Sequence, residues 1–275
     1  MHIFYVQGGG LGHLTRVDKL ITTLNIKKGT VIIITPSVFT NYFNDYQFVK
    51  LSWSEDLSDW IEQIENVIKS NPTTTFYIDT FPSGIKGELI SIYSTFPYLK
   101  YIYIARVLKW ETYLKAMPNQ NNIVFSQTIV LEPLYDNHLD WIKTHSKTYL
   151  NLTLKSNSIT PIPFIDTPYV MVVHSGGKAD VLRVCNQAID DYKADSNIHI
   201  IVFTQVDIQL KKETLFINKN VFPVTQYYED AIKIYTAAGF NSVQELRFFK
   251  DKHIIIPLKK LYDDQFFRVS NKMKN

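Results

Sequence analysis

The sequence predicts an α/β protein of two Rossmann-like, doubly wound domains facing each other across a cleft. Three observations carry that expectation. Apolar strand-like runs alternate with segments of helical spacing along the whole chain. Several runs, such as Val31-Ile32-Ile33-Ile34, are apolar throughout rather than alternating, as strands are when helices cover both faces of a parallel sheet. Each half also has a glycine turn where a strand should hand over to a helix: Gly8-Gly9-Gly10-Leu11-Gly12-His13, and Ala238-Gly239-Phe240-Asn241-Ser242.

In the first half, strands are expected at His2–Val6, Thr30–Thr35, Phe48–Leu51, Thr75–Asp79, Leu99–Ala105 and Ile123–Phe125. Helices are expected at Leu14–Leu24, Val38–Phe43, Leu57–Ser70 and Lys86–Tyr93. Residues 151–168 are polar and Pro-rich without a sustained period and read as a linker. The expected domains are therefore 1–155 and 156–275. Beyond the linker come a strand at Tyr169–His174, a helix at Ala179–Tyr192, strands at Ile198–Thr204 and Val221–Val224, and a helix at Tyr228–Tyr235. After the second glycine turn, a helix to Phe249, a strand at His253–Pro257 and a last helix from Asp264 complete the pattern.

Composition narrows the class. With 275 residues, 45% hydrophobic and 20% charged, the chain has the make-up of a globular protein. Its 14% aromatic content points to a core built with rings. A net charge of +3 is too small to imply a nucleic-acid partner. One cysteine, Cys185, excludes an internal disulfide and points to a reducing, cytoplasmic setting. No run reaches the length of a membrane span, and a strand at the very N-terminus leaves no room for a signal peptide.

The first glycine turn does not fit the dinucleotide fingerprint, because no acid ends the second strand. It suits an anion, since glycines let the backbone approach a ligand and the following helix presents unpaired N–H groups. His13 falls in the first turn of that helix, where the dipole opposes protonation and favours a neutral imidazole able to act as a base; holding the turn is the plainer role. Arg16, one turn on, could meet an anion or be surface charge. Asp79 ends a strand before Thr80-Phe81-Pro82-Ser83-Gly84 and either faces a ligand or fixes the turn. Arg106 lies in an aromatic, basic stretch, 101–115, that suits core packing or contact with a membrane surface or anionic acceptor.

In the second half, Ser175, Gly176 and Gly177 form a further candidate phosphate cradle, or a plain βα turn. Ser242 and Glu245 have capping-box spacing, and the alternative gives Glu245 to sugar hydroxyls. Asp263-Asp264-Gln265 opens the last helix, where acids cap or contact a ligand. Adjacent acids there point apart, so no metal site is expected.

Together these motifs resemble glycosyltransferases of the GT-B fold, especially the N-acetylglucosaminyltransferase of peptidoglycan lipid-precursor synthesis and its predicted relatives. Gly8–His13 is similar to that group's N-terminal turn, and "AAGFNSVQEL", "HIIIPL" and "YDDQFFR" are similar to its donor-binding region in order and spacing. The resemblance implies an acceptor-side N-terminal domain and a C-terminal domain that binds a nucleotide-sugar, UDP-linked by preference. It implies His13 as the base, Glu245 on the ribose, Ala238, Gly239, Phe240, Asn241 and Ser242 along the diphosphate and sugar, and Asp264 with Gln265 on the donor sugar. Gly9, Gly10 and Gly12 would approach the diphosphate from the other side, with Arg16, Asp79 and Arg106 on the acceptor side. The implied acceptor is a glycan, lipid-linked or small-molecule hydroxyl in cell-envelope or glycan biosynthesis, reached in the cytoplasm or at the inner membrane face. No metal or other cofactor is implied. A nucleotide-sugar hydrolase of the same fold and a non-catalytic nucleotide-sugar-binding subunit are the alternatives.

Overall fold

The structure is a computed structural model that describes residues 1–72, 74–117, 123–155 and 160–272. Residues 156–159 of the expected linker lie outside the described residues. The chain divides into two compact units, residues 1–155 with 261–264, and residues 156–260 with 265–275.

The first unit runs β1 (His2–Val6), α1 (Leu11–Thr23), β2 (Val31–Thr35), β3 (Gln47–Lys50), α2 (Leu57–Lys69), β4 (Thr75–Asp79), α3 (Leu89–Thr95), β5 (Lys100–Ala105), α4 (Trp110–Ala116), β6 (Gln127–Val130), α5 (Asp136–His145) and β7 (Tyr149–Asn151). Its seven strands are all parallel in the order β3-β2-β1-β4-β5-β6-β7. The central strands are buried along almost their whole length, which explains why they show no alternation. Helix α2 starts on a capping box, Asp56 with Asp59, and buries Trp60, Ile64 and Ile68 in the core beneath the sheet.

The second unit runs β8 (Tyr169–Val173), α6 (Lys178–Asp191), β9 (His199–Thr204), β10 (Leu215–Lys219), β11 (Ile234–Ala237), α7 (Phe240–Glu245), β12 (His253–Ile256) and α8 (Gln265–Lys272). Its sheet is parallel in the order β10-β9-β8-β11-β12. Cys185 is buried in the core under α6, where burial pushes its thiol pKa up to about 12.

The expected fold class holds in both units, but several elements differ. Residues 38–43 form only a short 3-10 turn, and the strand expected at Ile123–Phe125 is displaced to β6, with Phe125 keeping a single bridge to Ser146. Helices α4 and α5 and the edge strands β7 and β10 were not expected. The strand placed at Val221–Val224 is irregular; Pro223 there has no N–H for a ladder. The helix expected at Tyr228–Tyr235 is instead a turn leading into β11. Its helical spacing arises because Tyr228 and Ala231 are buried in that turn, against the same core as Ile234.

Candidate functional site

In both sheets the strand order reverses at the first strand, and the crevice at that reversal is where open α/β sheets take ligands. In the first unit the reversal falls between β1 and β4, so Gly8–His13 and Asp79-Thr80 emerge side by side. In the second it falls between β8 and β11, bringing Ser175–Gly177 beside Ala238–Ser242.

The first-unit cluster centres on Asp79. Its carboxylate accepts the Nδ1–H of His13 at 2.8 Å and two bonds from Arg16, Nε at 2.9 Å and Nη2 at 2.5 Å. Asp79 and Arg16 are buried, which overturns the surface-charge reading of Arg16. Burial alone would raise the Asp79 pKa, but the Arg16 guanidinium and the His13 hydrogen bond outweigh it and hold the carboxylate well below its ordinary value. The His13 pKa is lowered to about 4, first by burial and then by Arg16, with Asp79 opposing. The imidazole is therefore neutral at pH 7, although its side chain remains 17% exposed.

Arg16 Nη2 also lies 2.9 Å from the same Nδ1, but it has the Asp79 and Thr80 oxygens to donate to, whereas a carboxylate oxygen 2.8 Å from Nδ1 needs a proton between them. Nδ1 therefore carries the N–H and Nε2 the lone pair. Gly8 clears the space beside it. A Cβ at Gly8 would stand 2.5 Å from Nε2, and the residue holds φ +135°, which side chains rarely adopt. Gly10 is the N-cap of α1, and neither it nor Gly9 would bring a Cβ within 3.8 Å of another residue; Gly12 lies in the first turn of α1.

Thr80 is the residue that sequence reasoning missed. It is β-branched yet held at φ +71°, an outlier of the kind that clusters at functional sites. Its Oγ1 accepts from Arg16 at 2.9 Å and Arg106 at 3.1 Å, while its carbonyl accepts from Tyr103 at 2.9 Å. Nothing in its local sequence signals this role. Arg106 also pairs with Asp263 at 2.6 Å, and Tyr135 donates to Asp264 at 2.8 Å. Both acids thus stand in the first unit, bound by its side chains, whereas Gln265 belongs to the second. Of the stretch 101–115, Tyr101, Tyr103, Arg106, Trp110 and Tyr113 are buried in this unit, in keeping with its core-packing reading, while Glu111, Thr112 and Lys115 are exposed. Among the described residues no helix is long and apolar enough to cross a membrane.

In the second unit, Gly177 is the N-cap of α6 and Gly176 lies against His174, whose Nε2 would meet a Cβ there at 2.4 Å. Burial and the nearby Lys260 lower the His174 pKa to about 4. Gly239 is the N-cap of α7, so Ser242 stands inside the helix and the expected capping box with Glu245 does not form. Glu245 instead accepts from the Tyr228 hydroxyl at 3.3 Å. Phe240 is buried. Ala238 is buried and its carbonyl accepts from Arg268 at 2.7 Å, and Gln265 accepts the Leu258 N–H at 3.0 Å.

His138, buried against Trp110, is held near pKa 3 by desolvation. Together with His13 and His174 it stays neutral in the fold far below the ordinary histidine value of about 6.5. Between those values the unfolded chain binds protons that the folded one refuses, so stability falls as pH drops from 6.5 towards 4, by up to about 1.4 kcal/mol per pH unit for each histidine. Urea unfolding across this range should show that slope, and His138→Phe should remove about a third of it. A flat profile contradicts the buried neutral histidines.

No protein-family model matches the chain, and no curated protein matches it. Solved structures do. The glycotransferase of kitacinnamycin superposes with a TM-score of 0.64 at 14% identity, over 98% of this chain and 84% of that one. TcCGT1 in complex with UDP gives 0.64 at 14% identity, over 100% and 84%. UGT89C1 of Arabidopsis thaliana, complexed with quercetin, gives 0.56 at 12% identity, over 98% and 81%. At such identities the likeness is one of fold, and the fold of this chain is the GT-B type of those glycosyltransferases, two parallel-sheet α/β units in succession.

Proposed function

We propose that the protein transfers a sugar from a nucleotide-diphospho-sugar, UDP-linked by preference, to an acceptor hydroxyl. The observation that carries this reading is the His13–Asp79 pair at the switch point of the first sheet. A neutral imidazole, oriented by a buried carboxylate and open at Nε2, is the arrangement a general base needs. In the reaction, Nε2 takes the acceptor proton and the acceptor oxygen bonds to the anomeric carbon. The bond from that carbon to the diphosphate breaks, and the nucleoside diphosphate leaves with the electron pair. Asp79 steadies the imidazolium formed in this step.

The second unit supplies most of the donor site. Backbone N–H groups around Ser175–Gly177 and Gly239–Ser242 suit the diphosphate, and charge growing on it is stabilised by oriented amides without a metal ion. Glu245 is assigned to the ribose, and Asp264 with Gln265 to the donor sugar. That fold neighbours include glycosyltransferases, one named in complex with UDP and another with quercetin, supports the same reading.

Calorimetry and turnover with UDP-, GDP- and dTDP-sugars, beginning with UDP-N-acetylglucosamine, test the proposal. Binding of one donor and acceptor-dependent release of its nucleotide is the expected result. No binding across the panel sinks it, and equal turnover without acceptor turns it into a hydrolase. The pH profile gives a second check. The base works unprotonated, so activity should rise with pH through about 4, the His13 pKa, and be level above it. An acidic limb near 6.5 would remove His13 from the role.

A further inference from the structure

The turn that presents His13 has an aromatic neighbour with no part in the chemistry above. Trp53 follows β3, and β3, β2, β1 and β4 are parallel neighbours, so Trp53 emerges on the same sheet edge as Gly8–His13 and Asp79. Trp53 is 49% exposed although a fully buried tryptophan, Trp60, packs beside it at 5.3 Å between ring centroids. Trp60 is pinned in turn, its Nε1–H donating to the Ser52 carbonyl at 2.8 Å and the Lys86 ammonium lying 4.0 Å over its ring. Trp53 is thus held on a rigid support while half its surface faces solvent.

Its position relative to the base is defined by two adjacent glycines. A Cβ on Gly9 would stand 3.9 Å from Trp53 Nε1, and a Cβ on Gly8 would stand 2.5 Å from His13 Nε2. Neighbouring Cα atoms are 3.80 Å apart, which limits the gap between the two ring nitrogens to about 13 Å. Both nitrogens are therefore within reach of a single acceptor of one or two sugar rings. The bare backbone of Gly9 and Gly10 leaves that floor clear, since no side chain rises from it.

We propose that Trp53 is the platform for the acceptor and that the acceptor is a sugar. The flat C–H face of a pyranose would stack on the indole while a ring hydroxyl reaches His13 Nε2. An apolar ring face beside a hydrogen-bonding N–H matches a pyranose, which offers apolar C–H groups and hydroxyls together. The assignment rests on the transferase reading, and it makes the product a glycosidic bond between two sugars.

The test needs no donor. The full chain, labelled with ¹⁵N, has four tryptophans and so four indole N–H resonances, with that of Trp53 identified by its loss in Trp53→Phe. Titration with methyl β-glucoside and methyl β-N-acetylglucosaminide should shift the Trp53 resonance and leave those of Trp60, Trp110 and Trp141 in place. Trp53→Ala should weaken binding about tenfold or more, and Trp53→Phe by no more than about threefold. Circular dichroism melts confirm that both variants fold. If neither glycoside shifts Trp53, if Trp53→Ala binds as wild type does, or if phenol shifts Trp53 as strongly as the glycosides, the sugar platform is wrong. Nucleotide release from the donor panel is judged separately, so a failed transferase reading and a failed platform are told apart.

Discussion

Replacing His13 with Ala is expected to lower acceptor-dependent turnover by about 10²–10⁴-fold, the usual contribution of a general base. Donor affinity should change little, because His13 is not among the proposed donor contacts. Asp79→Asn should cost a similar factor by a different route. An amide can offer its N–H to Nδ1, which stabilises the tautomer with the proton on Nε2 and takes away the lone pair the reaction needs. It also leaves the buried Arg16 without its carboxylate, a loss that costs about 3–5 kcal/mol of stability when a buried pair is broken. The two variants therefore differ in a melt: His13→Ala should unfold near the wild-type temperature and Asp79→Asn well below it. Turnover of His13→Ala within a fewfold of wild type, on a sugar acceptor that the wild type uses, removes the base.

The second large effect concerns stability. Gly84→Ala is expected to destabilise the first unit by about 3 kcal/mol, from a left-handed backbone and a displaced buried carboxyl. Gly84 holds φ +84°, and a Cβ there would stand 2.2 Å from the carboxyl carbon of Glu88. Glu88 cannot retreat cheaply. It is fully buried and accepts the Tyr5 hydroxyl, the Ile85 N–H at 3.1 Å and the Lys86 N–H at 2.7 Å. Gly84→Asn separates the two causes. Asparagine tolerates positive φ better than alanine but brings the same Cβ, so it should destabilise nearly as much if the collision dominates. A wild-type urea midpoint for both variants contradicts the account. The glycine of the 79–84 segment thus has a structural reason independent of any ligand: it lets the chain turn over the carboxyl of Glu88.

Much of the fold was legible because its signals are local. β1, β4 and α2 match their expected bounds to within a residue, since continuous apolar runs and the 3.6-residue period are properties of neighbouring residues. Errors gathered where burial and period part company. The turn before β11 buries Tyr228 and Ala231 at helical spacing without being a helix, and β10 is an edge strand with none of its five residues fully buried. Helix α4 was hidden in an aromatic, basic stretch whose rings pack against Phe81 and His138. The Ser242–Glu245 pair shows the limit of a motif, since the helix begins two residues before Ser242 and leaves the box without its geometry.

The sequence by itself determined that two glycine turns stand at strand ends, that a histidine closes the first, and that both halves are parallel α/β sheets. These follow from short-range chemistry: the freedom of glycine, the helix period and the apolar strand. Only the tertiary structure decided that Asp79, 66 residues from His13, orients it and neutralises Arg16, that Thr80 is strained between two guanidiniums, and that Asp263, 157 residues from Arg106, is its partner. Strand order brings His13, Asp79, Thr80 and Arg106 to one sheet edge, and that order is set by how helices and strands pack over long separations, which no local pattern of residue types encodes.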